Sequence, residues 1–172
     1  MRRFLWLSAL TAQLTLAALS AEAFDGIRVT LLGTGSFTPS IERFGRSTLV
    51  EAGDEILLFD CGRGAVQRLA QAGVRPADIT GVFLTHLGAD ATVGLPDLWL
   101  TSRAQGRSDA LPIYGPRGTV DMMRSVEQAF RNGIEVPRIE EAQATNADAH
   151  DIAENVVYRS EEVTVTAIVV ER

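Results

Sequence analysis

The sequence contains two histidines, His86 and His150, and one cysteine, Cys61. Its capacity for acid–base, nucleophilic or metal chemistry therefore rests on very few side chains. His86 is followed four positions later by Asp90. A carboxylate at that distance can orient an imidazole acting as a general base. His150 falls in a polar, alanine-rich stretch and reads as an exposed, solvated side chain. A reactive Cys61 thiol would need a basic helper, and His86 is the candidate; a small buried core residue is the expected role. A single cysteine excludes a disulfide framework and a four-cysteine zinc cluster. Gly33-Thr34-Gly35-Ser36 has no following lysine and opens no helix, so it reads as a plain turn rather than a phosphate loop. Arg43, Arg46 and Arg63 lie where an anion near strand ends would be met.

The elements that must hold these residues follow from periodicity and turn residues. Ile27 to Leu32 predicts a strand running into the glycine turn, Ser47 to Ala52 a second, and Glu55 to Asp60 a third after the Gly53-Asp54 hairpin. A short helix is expected between Gly62 and Gly73, which caps it. Ile79 to Thr85 predicts a strand that delivers His86 at its carboxyl end, the usual place for chemistry in an α/β protein. Asp97 to Trp99 belongs to a buried helix expected to pack under the site. Leu111 to Tyr114 is a strand. Val120, Met123, Val126, Ala129 and Phe130 recur at helical spacing from Thr119, with Gly133 as the stop. Residues 140–155 read as a loop, and Val156 to Arg159 with Val163 to Val170 as a final hairpin. Strands alternating with helices define an α/β class with a mixed sheet. The continuously apolar EILLF and VFL strands call for cover on both faces. The identified helices supply one.

Residues 1–23 read as a secretory signal: Arg2 and Arg3, then an apolar run from Phe4 to Leu19, then Ala21-Glu22-Ala23 as a cleavage site. The run is too short and interrupted for a stable membrane span. A periplasmic or secreted location follows, with a domain over residues 24–172. The formal net charge is −6, and all 16 cationic residues are arginine. That balance provides no basic face for nucleic acid or an anionic membrane.

Five stretches in order, LLGTGSFTPS (31–40), RFGRSTLVEAG (43–53), LLFDCGRGAVQRLAQAG (57–73), VFLTHLGADATVGLPDLWL (82–100) and PIYGPRGT (112–119), resemble the metallo-β-lactamase superfamily, in particular its ribonuclease Z/arylsulfatase-like branch. The resemblance covers most of residues 27–170. It implies the N-terminal half of an αββα sandwich. It also implies hydrolysis at two zinc ions held by a His-x-His-x-Asp-His turn and later ligands. Carried over by position, His86 and Asp90 match that turn, whereas Gly88 and Ala91 stand where two histidines belong. Asp60 matches a carboxylate that buttresses the metal loop. The later ligands would fall beyond Arg172. His86 and Asp90 would serve different metals, so the two are not expected to form a site together.

These substitutions lead to the expectation of a hydrolase homologue that has lost its zinc site, His86 and Asp90 being vestigial, with no cofactor. Two alternatives stay open. One is an exported hydrolase of small esters (sulfate, phosphodiester or lactone) with residual activity. The other is an interaction subunit completed by another chain. A sheet with one uncovered apolar face would exceed the few hundred Å² that monomers expose. That face is therefore expected to be buried by a second copy, as a homodimer, or by a complementary chain, or to stay uncovered in a poorly stable, aggregation-prone product.

Overall fold

A computed structural model describes residues 26–131 and 147–170. Residues 1–23, read above as a secretory signal, residues 140–146 and Gly133 lie outside the described residues.

The first three strands, β1 (Ile27–Gly33), β2 (Ser47–Ala52) and β3 (Glu55–Phe59), form an antiparallel meander with Val29 opposite Val50 and Val50 opposite Leu57. From β3 the sheet turns parallel through β4 (Gly81–Phe83), β5 (Leu111–Gly115) and β6 (Ala147–Asp151), giving the order β1-β2-β3-β4-β5-β6. Helices α1 (Ala65–Gln71), α3 (Leu95–Ala104) and α4 (Thr119–Phe130) follow strands or loops, with a single turn, α2 (Ala89–Thr92), after β4. The α/β mixed sheet is the predicted class. The β4 strand is shorter than the predicted 79–85: Leu84 N–H still donates to the Tyr114 carbonyl at 2.7 Å, and the chain then turns at Thr85, whose N–H bonds to Asp60.

Period-two alternation sorts the side chains. Leu49, Leu58, Val82 and Ile113 stand in register on one face, buried against Leu69, Leu98, Trp99 and Met123 from the helices. Cys61 is fully buried in this core, as its expected structural role requires, and burial pushes its thiol pKa upward. Asp97 to Trp99 lie in α3 as predicted. The opposite face carries a row of four rings in register, Phe59, Phe83, Tyr114 and His150, with centroids 5.0, 5.1 and 5.0 Å apart. Offset stacks of this kind contribute about 0.5–1.5 kcal/mol per pair beyond burial.

The loop expected over 140–155 is corrected by β6. Ala147 and Ala149 pack on the core while Asp148 and His150 face outward, so this polar segment is a strand held by its parallel ladder to β5. His150 accordingly lies on a strand rather than in a loop, with its side chain 43% exposed. Its ring stacks on Tyr114 and its Nε2 lies 3.0 Å from Asp148. The final hairpin forms as β7 (Asn155–Arg159) and β8 (Thr164–Ala167). It lies over the ring row, with Tyr158 edge-on to Phe83 and Tyr114 at 5.7 and 5.9 Å. The second face is thus covered over β4 and β5, whereas Ile27, Val29 and Leu31 on β1 stay 63%, 59% and 67% exposed. Among the described residues no helix is long and apolar enough to cross a membrane.

Candidate functional site

The site is assembled where β3 and β4 end side by side. Asp60, the residue after β3, adopts a positive φ of 59°. Such a conformation costs a non-glycine residue about 1–2 kcal/mol, and it aims the carboxylate across the strand ends. The Thr85 backbone N–H donates to Asp60 Oδ1 at 2.8 Å, and the Thr85 hydroxyl lies 3.0 and 2.9 Å from the two carboxylate oxygens. Asp60 N–H in turn donates to the Phe83 carbonyl at 2.8 Å. This is the buttress expected of Asp60, and it fixes the backbone that presents His86.

The far side of the turn is fixed by backbone contact. Cys61 N–H donates to the Ala91 carbonyl at 2.7 Å and Gly94 N–H to the Cys61 carbonyl at 2.9 Å. A Cβ on Gly62 would stand 2.4 Å from the Asp90 carbonyl oxygen, so only glycine permits this approach. These bonds seat α2, and with it Asp90.

His86 and Asp90 come together. His86 Nε2 lies 3.0 Å from Asp90 Oδ1, and His86 Nδ1 lies 3.0 Å from Thr85 Oγ1. Arg46 approaches the other Asp90 oxygen at 3.5 Å. The hydrogen bond from His86 is the chief influence holding the Asp90 carboxyl below the ordinary range, with partial burial opposing it and Arg46 assisting. This corrects the expectation that the two would not share a site. The physical reason is Gly88: a Cβ there would stand 2.7 Å from Asp90 Oδ1 and 2.8 Å from His86 Nε2, so its absence makes the room the pair occupies.

Of the three arginines considered for an anion, Arg46 is drawn to Asp90, while Arg43 and Arg63 line a separate hollow of about 280 Å³ with Ser36 and Thr38. His86, Thr85 and Arg46 open onto a cleft of about 780 Å³ floored by Phe59 and Phe83 and walled by Val157, Val165 and Ile168. Thr85 was not singled out from sequence. Its signal was its place beside the histidine at the strand end. His150 stands apart on β6, and Cys61 is buried away from the cleft opening.

Among the described residues the donors do not make up a set for a pair of zinc ions. Gly88 has no side chain, Ala91 is a fully buried methyl, and both ring nitrogens of His86 already face protein oxygens. Among the described residues no three His, Cys, Asp or Glu side chains converge as a ligand group. A catalytic zinc takes about three protein ligands.

A mixed six-stranded sheet with helices on one face, the start of a second sheet on the other and a His-containing turn after β4 defines the N-terminal half of a metallo-β-lactamase fold. Solved structures agree. Human tRNase Z, short form, superposes with a TM-score of 0.62 at 28% identity, over 79% of this chain and 56% of that one. The metallo-β-lactamase fold protein YhfI from Bacillus subtilis gives 0.60 at 19% identity over 80% and 50%, a likeness of fold alone. By sequence, the chain is 44% identical over 112 residues to ribonuclease Z of Mycobacterium bovis, covering 63% of this chain and 40% of that protein. It is 40% identical over 132 residues to ribonuclease Z of Mycolicibacterium paratuberculosis, covering 75% and 47%. The chain spans about half the length of the curated relatives it matches. The model of the family described as "Anti-Pycsar protein Apyc1" matches residues 27–171. The chain belongs to that family, within the ribonuclease Z-like branch of the metallo-β-lactamase superfamily.

Proposed function

We propose that this chain is a metallo-β-lactamase-fold hydrolase homologue that has given up dinuclear zinc hydrolysis and acts by binding. One observation carries the reading: the turn that presents His86 offers Gly88 and Ala91 where the family motif needs imidazoles, and the surviving His86 and Asp90 bond to each other at 3.0 Å. Loss of a supporting partner alone lowers metal affinity about 10–100-fold, and loss of direct ligands weakens it further. The test is turnover of bis(4-nitrophenyl) phosphate, 4-nitrophenyl acetate and 4-nitrophenyl sulfate with and without added zinc. Zinc-independent absence of turnover is expected; a rate that rises with zinc and is removed by a chelator contradicts the reading.

A second reading is favoured by the same contact. His86 stands at the mouth of the cleft with Asp90 able to orient its ring; as a metal-free general base acting on a small sulfate, phosphodiester or lactone-type ester it would exchange its Nδ1 contact with Thr85 for the substrate. Turnover that survives chelation and disappears in His86→Ala would select it. A third reading rests on the exposed Ile27, Val29 and Leu31, which suit a complementary chain or a second copy. Light scattering that finds only monomer removes it. The signal-like residues 1–23 support export in each reading. Ribonuclease activity, named for the mycobacterial relatives, is not proposed, because a net charge of −6 without lysine provides no cationic track for a phosphate backbone.

A further inference from the structure

We infer that the turn after β4 is closed by an internal clasp running Asp60–Thr85–His86–Asp90–Arg46, and that Gly88 is the residue that allows it to shut. This rests on the reading that the turn holds no metal pair, and it goes further: the positions a cation would need are filled by side-chain partners, so the old ligands have become structural fasteners. Each link is within hydrogen-bonding or ion-pair distance. Asp60 takes the Thr85 backbone and hydroxyl, Thr85 faces His86 Nδ1 at 3.0 Å, His86 Nε2 faces Asp90 at 3.0 Å, and Arg46 closes the series at 3.5 Å. The clasp joins the ends of β3 and β4, the first turn of α2 and the residue before β2. These segments are otherwise tied at this point by backbone bonds, such as Gly62 N–H to the Arg46 carbonyl at 2.9 Å.

Protons are consistent with this order. The Thr85 hydroxyl has one proton. If it goes to His86 Nδ1, the imidazole is neutral and Nε2–H donates to Asp90; if it goes to Asp60, both His86 links are filled by the imidazolium, Nδ1–H donating to Thr85 Oγ1 and Nε2–H to Asp90. Both ring nitrogens are engaged, which leaves no free lone pair directed at an ion.

Gly88 makes the inference testable without removing any member of the clasp. Its backbone is extended, with φ −67° and ψ 148°, a conformation alanine adopts freely. A glycine-to-alanine change at such a site normally stabilises a protein by limiting the unfolded chain. Here the three atoms nearest the added Cβ are side-chain ends of Asp90 and His86, at 2.7 and 2.8 Å, so it pushes the pair apart. The sign of the effect therefore depends on His86. With His86 replaced by alanine, adding Gly88→Ala should raise Tm by roughly 1–4 °C. In the otherwise native chain Gly88→Ala should leave Tm unchanged or lower it. Equal rises in both backgrounds would overturn the clasp. Imidazole NMR of the native chain gives a second readout that needs no folded double variant. The His86 Nε2 proton should exchange slowly with solvent and lose that protection in Gly88→Ala; a freely exchanging proton in the native chain would overturn the inference. Neither readout involves zinc, so the clasp can fail while the loss of metal binding stands, and the reverse.

Discussion

Tyr158 on β7 places its hydroxyl 2.8 and 2.9 Å from the two carboxylate oxygens of Glu55 at the start of β3, a contact between residues 103 positions apart. It joins the hairpin of the second sheet to the first sheet. Glu55 also receives the Thr80 hydroxyl at 2.7 Å. Burial works to raise the Glu55 carboxyl pKa, but hydrogen bonds from Thr80, Tyr158 and Ser160 outweigh it and hold the group below its ordinary range.

Removing the hydroxyl tests how much of the hairpin's attachment is polar. Tyr158→Phe keeps the ring against Phe83 and Tyr114 and should lower stability by about 1–2 kcal/mol, the worth of one hydrogen bond to a charged group at a partly buried site. Tyr158→Ala, which also removes the edge-on ring contacts, should cost about 3 kcal/mol or more. Urea unfolding of the two variants measures the difference; equal losses would mean that the ring contributes nothing.

Alkaline pH should loosen the same joint. Burial is the chief cause of a Tyr158 pKa pushed up to about 12 from an ordinary 10.0, with the Glu55 hydrogen bond adding to it. The folded state then holds its phenol proton longer than the unfolded chain does. The stability from this group is complete below pH 10 and is lost as pH rises toward 12. Phenolate absorbance should show Tyr158 ionising late, and Glu55→Gln should bring that ionisation to lower pH. An unchanged titration in Glu55→Gln would contradict the contact.

The strained carboxylate at Asp60 separates conformational cost from hydrogen bonding. Asp60→Gly relieves the positive φ of 59° and loses only the bonds to Thr85. Both variants leave Thr85 N–H without its partner; Asp60→Ala also keeps the strain, so it should cost about 3 kcal/mol. Asp60→Ala should be less stable than Asp60→Gly by about 1 kcal/mol in urea unfolding. The reverse order would remove strain from the account.

Acid should weaken α4 at its first turn. The helix has Gly118 at its N-cap, which offers no side chain, and the cap comes instead from Asp151 at the end of β6. Its two oxygens accept Val120 N–H at 3.0 Å and Gly118 N–H at 3.1 Å. These bonds, Val120 first, hold the Asp151 carboxyl below its ordinary 3.8, against a small opposing effect of burial. Stability from this cap is therefore present above pH 3.8 and is lost as pH falls through the lower folded value. Asp151→Asn should melt below the native chain at neutral pH, with the gap narrowing in acid. A gap that persists unchanged in acid would argue against a charge-dependent cap.

The parts legible in the sequence were those written in apolar periodicity. β1, β2 and β3, the helix from Thr119 and the delivery of His86 at a strand end followed from β-branched runs, helical spacing and glycine stops. β6 was not legible because Ala-Asp-Ala-His-Asp has little intrinsic strand preference. Its structure comes from the ladder to β5, and the faint signal was the small-versus-polar alternation of Ala147, Asp148, Ala149 and His150. The meeting of His86 with Asp90 was hidden for a different reason. Counting missing ligands at positions 88 and 91 shows what chemistry is lost, but not that the space vacated by a side chain at 88 lets the survivors bond to each other. Cover of the second face was anticipated as a need. That Tyr158 supplies part of it through Glu55 depends on a contact of long sequence separation that no local pattern encodes.

Zinc titration of the purified chain, followed by calorimetry and by metal content after dialysis, decides whether the turn after β4 holds metal. No tight binding is expected, and a Tm that does not move with zinc. A tightly held pair of zinc ions per chain, lost in His86→Ala, would contradict that expectation.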